Sequence, residues 1–446
     1  MIARARAVAF DILMQVGESG AHSDELLRAG KVDALTPQDR ALTTTLVLGA
    51  LRWQIKLDAR IRPLLSRPDV KLPPAVLTAL RLGAFQLLYL DRIPAYAAIG
   101  ESVELAKQAG ETHAARMVNA VLRKLSQLPR EPESPEPQSA KEIADASAHP
   151  LWMVERWVGF YGLQTTAAIC RFDQEPAAIS IRLLDSKAEQ DLISEGILLE
   201  PGEFLTSARR VLSGDIIRSS TFLQGRVRIQ DEGSQLVAEL TGSGTRILDT
   251  CAAPGGKTAI LAERNPDAAI TAWDISKRRL ETMRRIFGSS REHLKLEAHD
   301  AAEVKLQPDY DLILCDVPCT GTGTIGRNPE IRFRVDADDI ARQQARQIRI
   351  LSSALAGLLP SGRLLYSTCS LEPEENEAVI EACLKANPGF TTRPLNNDID
   401  LLAAKGIITS DGADHLRSSA LKDRFLRTIP GIHRCDGFFA AVLTRN

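Results

Sequence analysis

The chain has 446 residues, more than one hydrophobic core normally supports, so we expect two to four domains. Hydrophobic residues make up 44% of the chain and charged residues 25%, and no apolar run reaches the roughly 18 residues of a membrane span, so we expect no membrane association. The seven cysteines are an odd number scattered over a long chain, which argues against a disulfide framework and predicts reduced thiols in the cytoplasm.

The first segment, MIARARAVAFDILMQV, begins with basic residues as a secretory signal does. Asp11 and Gln15 interrupt its apolar stretch and no small-residue cleavage site follows, so it predicts an amphipathic helix of a cytoplasmic protein. Residues 1–128 carry a local charge of +5, whereas the whole chain has a net charge of -2. A basic module joined to a more acidic one fits a nucleic-acid-binding domain attached to a catalytic body.

Residues 3–125 have helical periodicity throughout, and strand-like alternation is missing there. Thr36-Pro37-Gln38-Asp39 is typical of a helix start, with a hydroxyl cap, a proline that needs no donor and an acid in the first turn. We therefore predict an all-α domain over residues 1–128. The four prolines and three glutamates of residues 129–137 predict an extended spacer, and we place a linker at residues 129–147.

After the linker, HPLWMVERWVGFYG is typical of an aromatic-rich helix, and AAISIRLL and GILLEPGEFL are typical of strands. We predict a small α/β module over residues 148–224. Over residues 225–446 the apolar runs TRILDT, AAITAWDI, DYDLILCDV and GRLLYST alternate with helical stretches. This alternation predicts a doubly wound, mostly parallel sheet with helices on both faces, as in Rossmann-like domains.

The segment TRILDTCAAPGGKTAILAER passes from a buried strand through a turn of small residues into a helix. Doubly wound folds bind nucleotide-like ligands at such a turn, where Gly255 and Gly256 allow close approach of the backbone. Gly256-Lys257-Thr258 ends like a phosphate-binding P-loop, but that motif requires a glycine where this chain has Cys251. A tight structural turn remains the alternative for an isolated pair of glycines.

Three aspartates strengthen the prediction of a cofactor site, because each follows one of the successive strands: Asp249, Asp274 and Asp300. A carboxylate at the end of the second strand can accept hydrogen bonds from both ribose hydroxyls, so Asp274 is the predicted ribose ligand. Each aspartate alone is more typical of a turn or a helix cap. We also include Arg279 in the candidate cofactor site, although its place on the next helix is equally typical of an ion-paired side chain.

Two cysteines follow the next two strands: Cys319 in Asp316-Val317-Pro318-Cys319, and Cys369 in Ser367-Thr368-Cys369. If these strands are neighbours, both thiols lie at the carboxyl edge of the sheet, beside the cofactor. The alternative is that they pack as small apolar residues, which is our interpretation of the other four cysteines outside the glycine turn: Cys170, Cys315, Cys383 and Cys435. The histidines form no cluster that would complete a zinc site, so we predict no metal.

Four segments together resemble the RNA cytosine-C5 methyltransferases: DTCAAPGGKT (249–258), DVPCTGTGTIGRNPEI (316–331), YSTCSLEPEENE (366–377) and DGFFAAVL (436–443). The N-terminal part, with LTPQDRALTTTLVLGALRWQIKLDARI and AAIGESVELAK, is similar to the NusB-like RNA-binding domain that members of this family carry. The resemblance implies a Rossmann-like methyltransferase domain that uses S-adenosylmethionine. It also implies a cytoplasmic monomer that acts on 16S rRNA and not on DNA, with a middle module that helps to bind RNA.

The resemblance assigns Cys369 as the nucleophile and Cys319 as the thiol that assists product release. In DNA cytosine-C5 methyltransferases the thiol after proline attacks, so the order of the two cysteines follows from the resemblance and not from spacing. Covalent catalysis is needed because C5 of cytosine reacts with a sulfonium methyl only after a thiolate has added to C6. We expect Asp316 to bind the polar edge of the cytosine and Lys257 to lower the pKa of a nearby thiol, with a surface role as the alternative for Lys257.

The resemblance implies cofactor contacts from the turn, from the aspartates after the strands and from the strand end before Cys319. The predicted cofactor residues are Cys251, Ala252, Ala253, Pro254, Gly255, Gly256, Lys257, Asp274, Arg279, Asp300 and Asp316. Thr320 stands where the family usually has serine, which keeps the hydroxyl. The segment after Arg279 lacks an expected asparagine, which leaves local contacts there open.

Two other functions fit parts of the sequence. A non-catalytic RNA-binding or antitermination factor would retain the helical domain and an inactive methyltransferase fold, but Cys319 and Cys369 are intact. A methyltransferase of the same fold that acts on DNA or protein is disfavoured by the helical RNA-binding domain. The chain also lacks the Asn/Asp-Pro-Pro-Tyr motif of enzymes that methylate amino groups.

Overall fold

A computed structural model describes residues 2–28, 30–129, 136–288 and 293–445 of the chain. The chain forms two compact units: Met1–Pro176 with Ile325–Arg334, and Ala177–Thr324 with Val335–Asn446. We call them the helical unit and the sheet unit. No helix in the described ranges combines the length and the apolar character that crossing a bilayer requires.

The helical unit confirms the predicted all-α fold, including an amphipathic first helix whose apolar side chains are buried. Thr36 caps the fourth helix as predicted, because its side chain accepts a hydrogen bond from the Asp39 N–H at 3.2 Å. The α-helices that precede residue 177 are Arg4–Ser19, Ser23–Leu27, Gly30–Asp33, Pro37–Arg52, Gln54–Ile61, Pro74–Tyr89, Ala95–Gln108, Ala115–Ser126, Ala140–Ser147, Leu151–Tyr161 and Leu163–Gln174.

The predicted linker at residues 129–147 is wrong in its second half. Residues 130–135 lie outside the described residues, but Ala140–Ser147 forms a helix with Ser139 as its cap. Its buried residues Ile143 and Ala144 give the helix an apolar face that packs within the helical unit. The predicted aromatic helix follows at Leu151–Tyr161 and also belongs to the helical unit, so the small module predicted at 148–224 begins too early.

The segment Ile325–Arg334 completes the helical unit although it follows Cys319 in the chain by only a few residues. The Glu330 carboxylate accepts hydrogen bonds from the N–H and the hydroxyl of Ser23, both at 2.8 Å. The Arg332 guanidinium is fully buried and donates to the carbonyls of Arg52 and Ala148, at 3.1 and 3.2 Å. Because these contacts tie the segment to Ser23, Arg52 and Ala148, the segment is an integral part of this unit.

The sheet unit begins with a small antiparallel sheet of four strands in the order β2-β3-β1-β4. The strands are β1 Ile179–Leu183, β2 Leu198–Pro201, β3 Ala208–Ser213 and β4 Val227–Ile229, with short helices at Ala188–Ser194 and Ser220–Leu223. The predicted α/β module is therefore present. Its predicted end at residue 224 is early, because β4 pairs with β1.

The large sheet has the order β11-β12-β13-β9-β8-β5-β6-β7, with β10 on β13, within the described ranges. Strands β7-β6-β5-β8-β9 are parallel as predicted, and the C-terminal strands extend the sheet in antiparallel fashion. Its strands are β5 Arg246–Asp249, β6 Ala269–Asp274, β7 Leu294–Ala298, β8 Tyr310–Asp316, β9 Leu358–Thr368, β10 Phe390–Arg393, β11 Leu421–Lys422, β12 Phe425–Thr428 and β13 Phe438–Arg445. The helices around it are Glu232–Thr241, Gly256–Arg264, Lys277–Phe287, Ala337–Ala356, Glu377–Ala386, Asn396–Ala404 and Ser410–His415.

Both faces of the central strands are buried, which explains their nearly continuous apolar sequences. In β8, Leu312 and Leu314 pack in the core on one face, whereas Ile313 and Cys315 pack in the core on the other. Alternate side chains of a strand point to opposite faces, so apolar residues are needed at every position. The two cores hold the strands rigidly, and the polar residues that end them share one edge of the sheet.

Candidate active site at the carboxyl edge of the sheet

The predicted site residues follow the strands of the parallel part of the sheet. β5 ends at Asp249, β6 at Asp274 and β8 at Asp316, while Cys369 comes directly after β9. β8 and β9 are adjacent and parallel, with Asp316 beside Ser367, as the prediction for the two cysteines required. The carboxyl ends of these strands therefore meet in one place.

The two predicted catalytic thiols are in direct contact. The Sγ atoms of Cys319 and Cys369 are 3.3 Å apart, and both residues are partly exposed. This distance fits a hydrogen bond between the two sulfurs. Two thiols at this separation can reach the same ring of a substrate.

The pKa of Cys319 indicates how the proton is shared in this pair. The hydrogen bond with Cys369 and partial removal from water raise the pKa of the Cys319 thiol well above its ordinary value. Cys319 therefore remains protonated at neutral pH, and either sulfur can be the donor in the hydrogen bond between them. A sulfur that accepts a hydrogen bond is stabilised as a thiolate, the nucleophilic form of cysteine.

Lys257 is mostly buried and belongs to the same cluster, so its interpretation as a surface lysine is wrong. Its Nζ donates to Asp316 Oδ2 at 2.7 Å and lies 5.0 Å from the centre of the Phe438 ring. Burial lowers the pKa of Lys257, but the charge and hydrogen bond of Asp316, with a contribution from Cys369, raise it by more. The ammonium is therefore charged at neutral pH. Asp316 Oδ1 also accepts from the Ser367 hydroxyl at 2.6 Å, which fixes the carboxylate.

Backbone contacts hold the loops that carry the two cysteines. The Gly323 N–H donates to the Cys369 carbonyl at 2.9 Å, and the Gly323 carbonyl accepts from the Gly437 N–H at 2.8 Å. The Leu371 N–H donates to the Thr322 hydroxyl at 2.9 Å. These contacts join the first part of segment 316–331 to segments 366–377 and 436–443, all three singled out in the sequence.

Gly323→Ala is expected to lower the free energy of unfolding by about 2 kcal/mol and to slow catalysis. A Cβ at this position would lie 2.4 Å from the Gly437 carbonyl oxygen and 2.9 Å from that of Cys369, so the two loops would have to separate. Urea unfolding and methyl-transfer rates measure the two effects. Gly389→Ala is the matched control, because a Cβ there meets nothing within 4 Å. Equal stability of the two variants would contradict the role of Gly323.

The glycine turn after β5 has the backbone that the sequence indicated. Gly255 has a φ of +105°, and a Cβ there would lie 3.1 Å from Phe287, so glycine is required. The turn is anchored by the Ala252 N–H, which donates to the Trp273 carbonyl at 2.7 Å. The helix Gly256–Arg264 starts directly after the turn, so its free N–H groups face the edge where the strands end.

Gln230 lies against this turn and was not predicted. A Cβ on Gly256 would approach its side-chain amide to 3.2–3.3 Å. The amide nitrogen donates to the Ser234 hydroxyl at 3.2 Å, whereas the amide oxygen is buried and accepts no hydrogen bond from the described residues. An unpaired buried acceptor beside a close-approach glycine fits a turn that receives a polar ligand.

The other aspartates after the strands have different environments. Asp274 accepts from the Ser276 N–H at 2.8 Å and from the Ala253 N–H at 3.3 Å, and it pairs with Arg279 at 3.3 Å. Arg279 also donates to the Ala253 carbonyl at 2.6 Å, which matches its interpretation as an ion-paired side chain. Asp300 follows β7, is partly exposed and accepts from the Ala302 N–H at 3.1 Å.

Asp249 is buried, and burial raises its pKa to about 7, while Thr258 donates to it at 2.8 Å. Burial also raises the pKa values of Cys251 and of the four cysteines assigned to packing, Cys170, Cys315, Cys383 and Cys435, so these thiols are not activated. In the part of the chain that the structure describes, no group of three or more His, Cys, Asp or Glu side chains is arranged to hold a metal ion.

Two residues beside the cysteines had no predicted role: Glu375 and Gln347. Glu375 lies in the acidic run EPEENE, which suggests a solvated segment, yet it is 0% exposed. Gln347 shares a helix face with the buried residues Ile340, Ile350 and Leu351. A polar residue on an apolar helix face was the signal that could have identified Gln347.

Two family models match the chain. The family described as 16S rRNA methyltransferase RsmB/F matches residues 239–444, and the NusB family matches residues 3–127. The first match contains Lys257, Cys319 and Cys369. The second lies within the helical unit.

Individual relatives match over nearly the full length. The probable ribosomal RNA small subunit methyltransferase B of Bacillus subtilis is 33% identical and covers 97% of this chain and 97% of its own length. The ribosomal RNA small subunit methyltransferase B of Xanthomonas campestris is 32% identical and covers 99% of this chain and 97% of its own length. The crystal structure of a protein designated PH0851 aligns with a TM-score of 0.81 over 100% of this chain and 99% of that one; at 24% identity, this supports the fold alone.

Proposed function

Because the chain belongs to the family of 16S rRNA methyltransferases RsmB/F, we propose that it methylates C5 of a cytosine in 16S rRNA with S-adenosylmethionine as the methyl donor. The observation that carries this proposal is the 3.3 Å separation between the Cys319 and Cys369 sulfurs. They lie beside a glycine turn of the kind that receives a nucleoside. Methylation of a ring carbon can use two adjacent thiols, one as the nucleophile and one as the acid and base of product release.

Cys369 is the proposed nucleophile. Its sulfur bonds to C6 of cytosine, and the electron pair of the C5–C6 double bond makes C5 reactive. S-adenosylmethionine, when bound, supplies an electrophilic methyl group to C5. Cys319 donates a hydrogen bond to the Cys369 sulfur before attack and so stabilises its thiolate. This division of roles follows the family resemblance, and the raised pKa of Cys319, which keeps that thiol protonated, supports it.

Cys319 is the proposed acid and base of product release. After methyl transfer, C5 still carries its proton, and the bond between C6 and the Cys369 sulfur must break. Cys319 gives its proton to the departing Cys369 sulfur and accepts the proton of C5, and the electron pair of the C5–H bond restores the double bond. Cys369 then loses its proton to solvent, so one proton is released in each turnover.

Asp316 and Lys257 are proposed to stabilise the cytosine adduct. Asp316 is held by Lys257 and Ser367, so its carboxylate is fixed in direction. A carboxylate has about four acceptor positions, and the two that these contacts leave can accept from the protonated N3 edge or the exocyclic amine. Lys257 keeps the charge of this cluster balanced. Together they favour protonation of N3, which neutralises the negative charge that addition of the thiolate to C6 would otherwise place on the ring.

The residues of the glycine turn fit the methyl donor. Cys251, Ala252, Ala253, Pro254, Gly255 and Gly256 would lie against its methionyl part, and the unpaired Gln230 oxygen suits an ammonium group. Asp274 would accept from the ribose, since its contacts of 3.3 Å with Ala253 and Arg279 are long enough to be replaced. Arg279 supports this site by holding Asp274, and Asp300 follows the strand next to it.

The helical unit is the proposed rRNA-binding part. Residues 1–128 carry a charge of +5, which attracts phosphate groups, and they include the match to the NusB family. We retain the small sheet at 179–229 as a proposed second RNA contact. The reaction needs both thiols reduced, so we propose that the protein works in the cytoplasm.

The direct test is methylation of an unmodified 16S rRNA transcript with methyl-labelled S-adenosylmethionine. We expect label in the RNA and, after digestion to nucleosides, a single labelled product that mass spectrometry identifies as 5-methylcytidine. An equal amount of 23S rRNA transcript is the control substrate. Label in another nucleoside, or equal labelling of both transcripts, would contradict the proposed reaction or the proposed substrate.

A further inference from the structure

The buried Glu375 carboxylate lies between the loops of the two catalytic cysteines. It accepts hydrogen bonds from the Thr320 N–H at 2.9 Å and from the Thr320 hydroxyl, and Thr320 directly follows Cys319. It also accepts from the hydroxyl of Ser370, which directly follows Cys369. One side chain is therefore bonded to the neighbour of each thiol.

Gln347 strengthens the contact on the Cys319 side. Its amide nitrogen donates to Glu375 Oε1 and to the Pro318 carbonyl, both at 2.9 Å. The residues before and after Cys319 are thus both tied to the Glu375 carboxylate, directly or through Gln347. The Cys369 side has one such tie, from Ser370, and Cys369 is already fixed by its place at the end of β9.

Burial of the Glu375 carboxylate lowers the stability of the folded protein. Burial raises its pKa, although the hydrogen bonds from Ser370, Thr320 and Gln347 oppose this effect. Because its pKa in the folded protein lies above the ordinary value, the ionised carboxylate makes the folded state less stable as the pH rises through that pKa. A buried acid retained at such a place is more typical of a functional site than of a packing position.

We propose that Glu375 is a positioning residue, which holds Cys319 beside Cys369 by binding Thr320, Ser370 and Gln347 at once. This inference rests on the proposed function of the two thiols. Glu375 itself does not touch the cytosine in this role. It keeps the Cys319 sulfur where it can exchange a proton with the Cys369 sulfur and with C5, so its loss impairs product release.

The test is Glu375→Ala in the full-length protein, assayed with 16S rRNA transcript and S-adenosylmethionine. We expect kcat to fall by about tenfold to a hundredfold, as for a misplacement of roughly 1 Å, with the KM for S-adenosylmethionine changed less than about twofold. The covalent protein–RNA adduct, seen as a shifted band on a denaturing gel, is expected to accumulate. A purely structural role would lower the folded fraction without trapping this adduct.

Glu377→Ala is the matched control. Glu377 begins the helix that follows, and its carboxylate pairs with Arg427 on β12. We expect this control to turn over at the wild-type rate without a trapped adduct. A folded Glu375→Ala protein with wild-type kcat and no adduct would overturn the proposal.

Thr320→Val decides the question if Glu375→Ala does not fold. Valine has the shape of threonine and removes the hydroxyl that donates to Glu375 and lies 3.2 Å from the Ser370 hydroxyl, and we expect a loss of about fivefold in kcat with some trapped adduct. A wild-type rate would contradict the positioning role. Cys319→Ala is analysed on the same gel. If Cys319→Ala forms the covalent adduct but Glu375→Ala and Thr320→Val do not, only the positioning role of Glu375 is overturned. If none of the three variants forms the adduct, the proposed function itself is contradicted.

Discussion

Cys369→Ala is expected to lower the rate of methyl transfer to 16S rRNA by at least about 10³-fold, because it removes the thiol proposed to add to C6 of the cytosine. The glycine turn and Asp274 are untouched, so binding of S-adenosylmethionine should remain within about twofold of wild type. Initial rates with labelled methyl donor measure the first effect. Isothermal titration calorimetry measures the second.

Cys383→Ala is the matched control for loss of a sulfur atom. Cys383 is buried in the helix Glu377–Ala386, and its sulfur contacts Ser352 and the Ile348 carbonyl, at 3.7 and 3.6 Å. We expect this variant to lose about 1 kcal/mol of stability and to keep its activity. An active Cys369→Ala protein would exclude Cys369 as the nucleophile.

Cys319→Ala is expected to trap the enzyme on its RNA. Attack by Cys369 and methyl transfer still occur, but proton transfer from C5 and release of the sulfur lose their acid and base, and turnover falls by about 10²–10⁴-fold. This defect is detected as a covalent protein–RNA complex that survives denaturation. It should form only when both RNA and S-adenosylmethionine are present if methylation precedes the block.

The double variant Cys319→Ala/Cys369→Ala is the control for this complex, because it lacks the sulfur that bonds to C6. We expect no covalent band from it. If Cys369→Ala instead traps RNA and Cys319→Ala abolishes all bonding to RNA, the roles of the two thiols are reversed. The hydrogen bond between the sulfurs would then have to run in the other direction.

Much of the site could be predicted because its reactive side chains come directly after the strands of the parallel sheet. Periodicity located β5, β6, β8 and β9, and a parallel sheet brings the residues after such strands together. Cys319 and Cys369 are separated by fifty positions in the sequence, yet their place after two apolar runs was enough to predict that they meet. Motif resemblance supplied their order, which strand pattern cannot.

Glu375 and the boundaries could not be predicted in this way. The four acids in EPEENE are alike in sequence, and only the packing against the Ala337–Ala356 helix buries Glu375 while leaving Glu374 partly exposed. The prolines and glutamates at 129–137 predict a break in the chain, but no local pattern shows that Ala140–Ser147 packs against the two helices that follow it, Leu151–Tyr161 and Leu163–Gln174. Tertiary contacts decide both cases.

The Ile325–Arg334 segment has a consequence for synthesis of the protein on the ribosome. About 150 residues separate the end of the first part of the helical unit from this segment, which is roughly 7–30 s of translation at 5–20 residues per second. During that interval Ser23 lacks its hydrogen bonds to Glu330, and the Arg52 carbonyl lacks its hydrogen bond from Arg332. A nascent chain stalled before residue 325, or a fragment that ends at residue 176, is therefore expected to expose an incompletely assembled N-terminal body to chaperones and proteases.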